Sequence, residues 1–158
     1  MLIGSHIRKH RDALTSALLI TACAPAVPQT LVTYADARTD KAQLIDTGDP
    51  GDSVGDILVF DQPLLDKNRK PVGNNSGICI RTRVGHSFQC QWTLSFRNGT
   101  IQVAGREFDE GTSTLSIVGG TDHYAGIRGD MTSVNNHDGT FTQTLRYRLN
   151  QGDVAKFK

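Results

Sequence analysis

The stretch whose reading decides the fold runs from Ser116 to Met131, SIVGGTDHYAGIRGDM. An apolar run stops at Gly119 and Gly120, Tyr124 follows, and two more glycines stand at 126 and 129. In a helix interior each glycine would cost about 1 kcal/mol relative to alanine. A tight reversal between strands instead uses the positive φ that glycine reaches without strain. The segment therefore reads as a β corner, with Gly119 and Gly120 turning one strand into the next and Tyr124 packed at the rim as a plug.

Working outward, short strand-like runs alternate with turn clusters. The runs are 31–37 (LVTYADA), 54–60 (VGDILVF), 77–84 (GICIRTRV) and 88–96 (FQCQWTLSF), then 100–105 (TIQVAG), 113–118 (STLSIV), 127–133 (IRGDMTS) and 140–149 (TFTQTLRYRL). Arg97-Asn98-Gly99 and Asn136-His137-Asp138-Gly139 are hairpin turn signals, because Asn and Asp tolerate left-handed φ and Gly accepts it freely. The polar stretch 39–53 reads as a connecting loop. Short strands with a turn every dozen residues or so predict an all-β sandwich or barrel. An eight-stranded barrel is just wide enough inside for side chains or one small ligand. Period-two alternation puts Phe141, Gln143, Leu145, Tyr147 and Leu149 on one face of the last strand. In 77–84, Ile78 and Ile80 oppose Cys79, Arg81 and Arg83, and the pattern does not say which face is inside.

Composition narrows the function. The chain has 158 residues, a formal net charge of +1 and scattered lysines and arginines, so it lacks the basic footprint of a nucleic-acid binder. His86, His123 and His137 lie at turns and read as surface residues, without metal-ligand spacing. The first 30 residues differ from the rest. Arg8, Lys9 and Arg11 precede an apolar stretch from Ala13 to Ala22, and a small, Pro-rich segment follows; that order is a signal peptide's. It predicts export, with Cys23 either a lipidation site that would bind the chain to a membrane or part of a plain cleavage site. An amphipathic leader helix or a vector-derived extension, and hence a cytoplasmic protein, is the alternative. Residues 31–158 then form a single β-barrel domain. Cys79 and Cys90 remain as an even pair flanking a hairpin, either a disulfide or two half-buried thiols.

Three segments together resemble the allene oxide cyclase barrel superfamily, which includes allene oxide cyclases and dirigent proteins. VGDILVFDQPLLD is similar to the dirigent opening strand, and VGNNSGICIRTRV to a cyclase strand with a Gly-Ile-Cys core. GTIQVAGREFDEGTSTLSIVGGTDHYAGIRGDM resembles both, while VFDQPLLDKNRKPVGNNSG also looks like bacterial spirotetronate-type cyclases. The resemblance implies an eight-stranded antiparallel barrel with a largely apolar lumen, often assembled as a homo-oligomer (a dimer or trimer), and no metal or organic cofactor. It implies intramolecular ring closure of an apolar, reactive small molecule held in the lumen.

Cys79, Gln62 and Glu107 are the expected catalytic residues, the first two from the resemblance and Glu107 from its charged loop, at a position where the plant cyclases carry an aromatic. Cys79 matches the pocket cysteine of the cyclases, where it would be a polarisable wall group. Gln62 falls near their pocket asparagine and would help to hold a polarising water. Glu107 stands in the charged run Arg106, Glu107, Asp109, Glu110 and becomes a proton donor if its carboxyl is desolvated; a solvated surface turn is the competing reading. Asp36 is the nearest acid to the one on the cyclases' first strand. Phe60, Trp92, Tyr124, Tyr147 and Arg81 are the expected substrate-binding residues. Two functions follow: a cofactor-independent cyclase or isomerase, or an exported dirigent- or lipocalin-like protein that binds an apolar ligand without catalysis.

Overall fold

A computed structural model describes residues 26–39 and 42–149. The leader, with Arg8 to Ala22 and Cys23, lies outside the described residues. Nine strands run in chain order: β1 (Gln29–Asp36), β2 (Ala42–Ile45), β3 (Ile57–Leu65), β4 (Pro71–Arg83), β5 (Ser87–Phe96), β6 (Gly99–Phe108), β7 (Thr112–Gly120), β8 (Arg128–Asn135) and β9 (Thr140–Arg148). Every pairing is antiparallel. β3 to β9 form a meander, β9 pairs with β1 from Gln29↔Tyr147 to Asp36↔Thr140, and β1 reaches back to β3 through Tyr34↔Leu65 and Ala35↔Leu64. That last contact shuts an eight-stranded barrel; β2 is an added edge strand on β3.

Each of the eight strand-like runs overlaps an observed barrel strand, with differences that have local causes. The stretch 39–53 contains β2, whose four residues are all exposed and so carry no burial pattern. The third strand starts later and runs further than 54–60, through Pro63. Proline is tolerated there because Asp61, Gln62 and Pro63 have no partner on the β1/β2 side, so the missing N–H costs little. Ahead of that strand, Asp56 accepts hydrogen bonds from the Thr47 and Ser53 backbone N–H groups (3.1 and 2.8 Å), folding 47–56 into a compact loop.

The corner at Gly119 is also corrected in detail. Gly119 and Gly120 are the last residues of β7, paired with Gln102 and Ile101 beyond a bulge at Val118. The reversal itself is Thr121–Ile127, with a short 3₁₀ turn at Asp122–Tyr124 and positive φ at Asp122 and Gly126. Gly129, at φ 154°, lets β8 lie flush on β9, where a Cβ would overlap the Arg146 carbonyl oxygen. Tyr124 does act as a plug: its buried ring packs against Phe96, His123 and Tyr147.

Inward positions follow the alternation on β9, and the register carries that face around the ring. Leu64, Leu94, Ile101, Val103, Leu115, Met131 and Leu145 are essentially inaccessible and fill one part of the barrel solidly. On β4 the inside face is the one bearing Cys79, while Ile78 and Ile80 face outward and are exposed. Cys79 lies directly across from Cys90, and the two are joined as a disulfide. Closing a loop of this size stabilises a fold by roughly 2–3 kcal/mol. The double variant C79S/C90S is expected to lose about that much unfolding free energy, read as a lower denaturant midpoint; an unchanged midpoint would contradict the bridge.

Candidate functional site

The rest of the interior is hollow because its inward side chains are short. Ala35, Gly77, Cys79, Gly105, Ser113 and Ser133 occupy inward register positions there. Gly77 matters most: a Cβ on it would overlap Trp92 Cβ and the Gln91 carbonyl oxygen, so glycine lets Trp92 sit against β4. β1 ends at Asp36, and beyond it β3 is flanked only by the short, exposed β2. Leu58 and Phe60, on that part of β3, are half-buried and face the hollow.

The resulting cavity, open to solvent at its mouth, has a volume of about 80 Å³ measured for the centre of a water molecule. One water needs only about 10–15 Å³ by that measure, so there is room for a small organic group. The apolar wall comes from Ala35, Leu58, Phe60, Trp92 and Phe141, together with Cys79. Phe60 and Trp92 meet edge to face with ring centroids 6.0 Å apart. Polar groups enter at five places: Gln62, Asn75, Glu107, Ser133 and Gln143. Thr33 Oγ1 donates to Gln143 Oε1 (3.2 Å), which fixes that amide.

Among the described residues, Glu107 is the only ionisable side chain in this wall. It faces Phe88 across the β5–β6 pair, and Ser133 Oγ donates to its Oε1 at 2.7 Å. Its other oxygen, Oε2, is buried and has no hydrogen-bond partner among the described residues. Burial pushes the Glu107 carboxyl above the ordinary glutamate value of 4.5, opposed by the Ser133 hydroxyl that donates to it and, more weakly, by the nearby Ser113 hydroxyl. A carboxyl held this way has the chemistry that general acid or base catalysis requires. The solvated-turn reading therefore fails for Glu107, though Glu110 in the same run is exposed.

Five of the eight residues expected from sequence meet in this cavity: Cys79, Gln62, Glu107, Phe60 and Trp92. Cys79 does so as half of a disulfide and offers no thiol. Three do not line it. Tyr124 and Tyr147 belong to the solid part, where Tyr147 Oη donates to Gln29 Oε1 (3.1 Å). Arg81 is occupied at the rim: its guanidinium lies 3.7 Å over the Phe88 ring, between Asp52 (2.6 Å) and Asp109 (2.6 Å). Arg81 thereby ties the 47–56 loop to the β6–β7 turn and is a structural clamp. Asp36 is also engaged elsewhere, in a two-pronged pair with Arg38 Nε and Nη2 (2.7 Å each), and Arg38 holds its carboxyl below the usual range. His86 is half-buried rather than on the surface, its ring set edge-on to Phe108.

Asn75, Gln143, Phe141 and Ser133 line the cavity without having been singled out in the sequence. For Phe141 and Gln143 the signal was present, since they share the alternating face of the last strand. Asn75 becomes visible once Cys79 is known to point inward, because it lies four residues earlier on the same face. Ser133 is an ordinary strand serine, and only its position opposite Glu107 marks it.

The raised Glu107 pKa has a consequence for stability. The unfolded chain has the ordinary value, so the folded state binds the proton more tightly and the advantage is complete below 4.5. As pH rises through the higher folded value, the buried carboxyl ionises and that stability is lost. Wild type is therefore expected to melt progressively lower than E107Q as pH is raised above 4.5. Thermal melts of both proteins across pH check this; a gap that does not grow would contradict a desolvated carboxyl.

Comparison with known proteins agrees with this architecture. The family model of dirigent-like proteins matches residues 26–150. No curated protein matches the chain. Among solved structures, a pyocyanin demethylase is 27% identical at a TM-score of 0.64, covering 77% of this chain and 99% of that one. The pterocarpan synthase dirigent protein PsPTS1 is 20% identical at 0.64, covering 80% and 97%. The Diels-Alderase AbmU from Streptomyces koyangensis is 16% identical at 0.66, covering 83% and 72%. The last two likenesses concern the fold. With a family match over most of its length and a shut eight-stranded barrel, the chain belongs to the dirigent-like protein family.

Proposed function

We propose that this barrel is a cofactor-independent cyclase or isomerase, holding an apolar, conjugated small molecule in its lumen while Glu107 moves a proton. The observation that carries the reading is the Glu107 carboxyl, bonded through one oxygen to Ser133 and bare on the other, at the wall of an aromatic hollow. Fixing a flexible substrate against Phe60, Trp92 and Phe141 removes the entropy of bringing its reacting ends together. A positioned acid or base contributes about 10²–10⁴-fold more. The similar structures named as a demethylase, a synthase and a Diels-Alderase support chemistry on small molecules in such a barrel.

A second reading, an exported binding protein without catalysis, has one observation in its favour. The Cys79–Cys90 bond suits an oxidising compartment, as does the signal-like leader. Ile45, Ile57 and Ile80 lie side by side on the outer wall, a strip that supports a homo-oligomer in either reading.

Carbon-proton exchange separates the two without a known substrate. In D₂O the protein is given 2-tetralone, a bicyclic ketone with acidic hydrogens beside its carbonyl, and exchange is followed by NMR. As a base, Glu107 removes such a proton and returns a deuteron. Wild type is expected to accelerate exchange over buffer, and E107Q to lose about 100-fold or more of that acceleration. The rate should fall on the acid side as Glu107 protonates, at a pH above 4.5. Binding of 2-tetralone without acceleration would overturn the enzyme reading and leave the carrier.

A further inference from the structure

Glu107 Oε2 is one of three buried polar atoms without a hydrogen-bond partner that belong to side chains lining the cavity. The others are Trp92 Nε1, a donor, and Asn75 Oδ1, an acceptor; neither has a hydrogen-bond partner among the described residues. Both residues are buried, with 5% of Trp92 and 3% of Asn75 exposed. A buried polar group left unpaired costs roughly 1–3 kcal/mol, so a wall keeping two of them bare is matched to a guest that pairs with them.

Their relative placement follows from the strand register. Asn75 faces Leu94, and Trp92 faces Gly77, so Asn75 and Trp92 are diagonal neighbours on one inward face. Such neighbours are about 7–8 Å apart at the backbone, and their side chains can meet adjacent atoms of one ligand. Trp92 also faces Val103 on β6, and Glu107 lies four residues further along that strand, which is about 13 Å. The cavity thus has a hydrogen-bonding pole at Asn75 and Trp92 and a carboxyl pole at Glu107, with Phe60 and Phe141 in the same wall. Among the described residues no Lys, Arg or His lines it, so an anionic guest finds no counter-charge there and faces the Glu107 carboxyl instead.

We propose that the cavity selects an elongated, flat, uncharged ligand with a carbonyl-type acceptor beside a hydroxyl or N–H at one end. The acceptor sits on Trp92 Nε1–H, the donor hydrogen on Asn75 Oδ1, and the far end reaches Glu107. Only that last contact rests on the function proposed above. Trp92 and Asn75 are specificity-determining residues of the site, and the preference for a neutral guest is a property of the wall as a whole.

Three bicyclic probes of one shape test this by NMR titration at neutral pH. 2-Quinolone carries adjacent C=O and N–H groups, naphthalene has neither, and 2-naphthoate is an anion. Wild type is expected to bind 2-quinolone at least about tenfold more tightly than 2-naphthoate. W92F and N75L should each weaken 2-quinolone by about five- to tenfold, the size of one lost buried hydrogen bond, and leave naphthalene no weaker. Equal or tighter binding of 2-naphthoate, unchanged 2-quinolone binding in both variants, or no binding of 2-quinolone to wild type would overturn the proposal. The probe series in wild type needs no variant to fold. If the 2-quinolone preference persists while Glu107 has no effect on carbon-proton exchange, the recognition stands and the acid–base reading alone falls.

Discussion

Everything in this protein depends on how the inside of a ring of eight strands is filled. Such a ring leaves just enough interior for its own side chains, so a hollow exists only where those side chains are short. Here one part is closed by Leu64, Leu94, Ile101, Leu115, Met131 and Leu145, while Ala35, Gly77, Cys79, Gly105, Ser113 and Ser133 leave the other part open. The two are complementary. The solid part supplies the burial that holds the ring shut through the short β1–β3 seam, and the open part uses that rigidity to set its wall.

The wall then gives a carboxyl properties it would not have on the surface. Glu107 is held in an apolar environment because β6 must point every second side chain inward, and Ser133 reaches it because β7 aligns β8 at that level. The disulfide belongs to the same construction. Cys79 and Cys90 occupy facing inward positions beside Gly77, covering β4 and β5 with a group small enough to keep the hollow clear. At the rim Arg81, although it also stands on the inward face of β4, is drawn off by Asp52 and Asp109 and so stays out of the cavity. This leaves Glu107 as the one ionisable side chain lining the cavity among the described residues.

Much of this was legible in the residues. Turn chemistry at Asn98-Gly99 and Asn136 to Gly139 placed the hairpins, and the alternation from Phe141 to Leu149 identified an inner face. β2 was hidden because four exposed residues have no pattern. The inside of β4 was hidden because that strand puts its isoleucines on the outer wall and its cysteine and arginine within, the reverse of the usual sign. Arg81, Tyr124 and Tyr147 have side chains suited to a binding site, and only long-range partners assign them elsewhere: the acids at 52 and 109, and the Phe96–Tyr124–Tyr147 stack. Ser133 and Asn75 acquire meaning only from strands far away in sequence. Local chemistry reveals the strands; which side chains share a cavity is set by register around a closed ring.

The central claim is that short inward side chains leave an apolar hollow beside Glu107 that a guest can enter. Xenon occupies apolar cavities without needing any hydrogen bond. Crystals of the protein held under xenon pressure test the claim directly. The account predicts a xenon peak among Phe60, Cys79, Trp92 and Phe141, whereas an interior filled by repacked side chains, with xenon absent from it, would contradict the account.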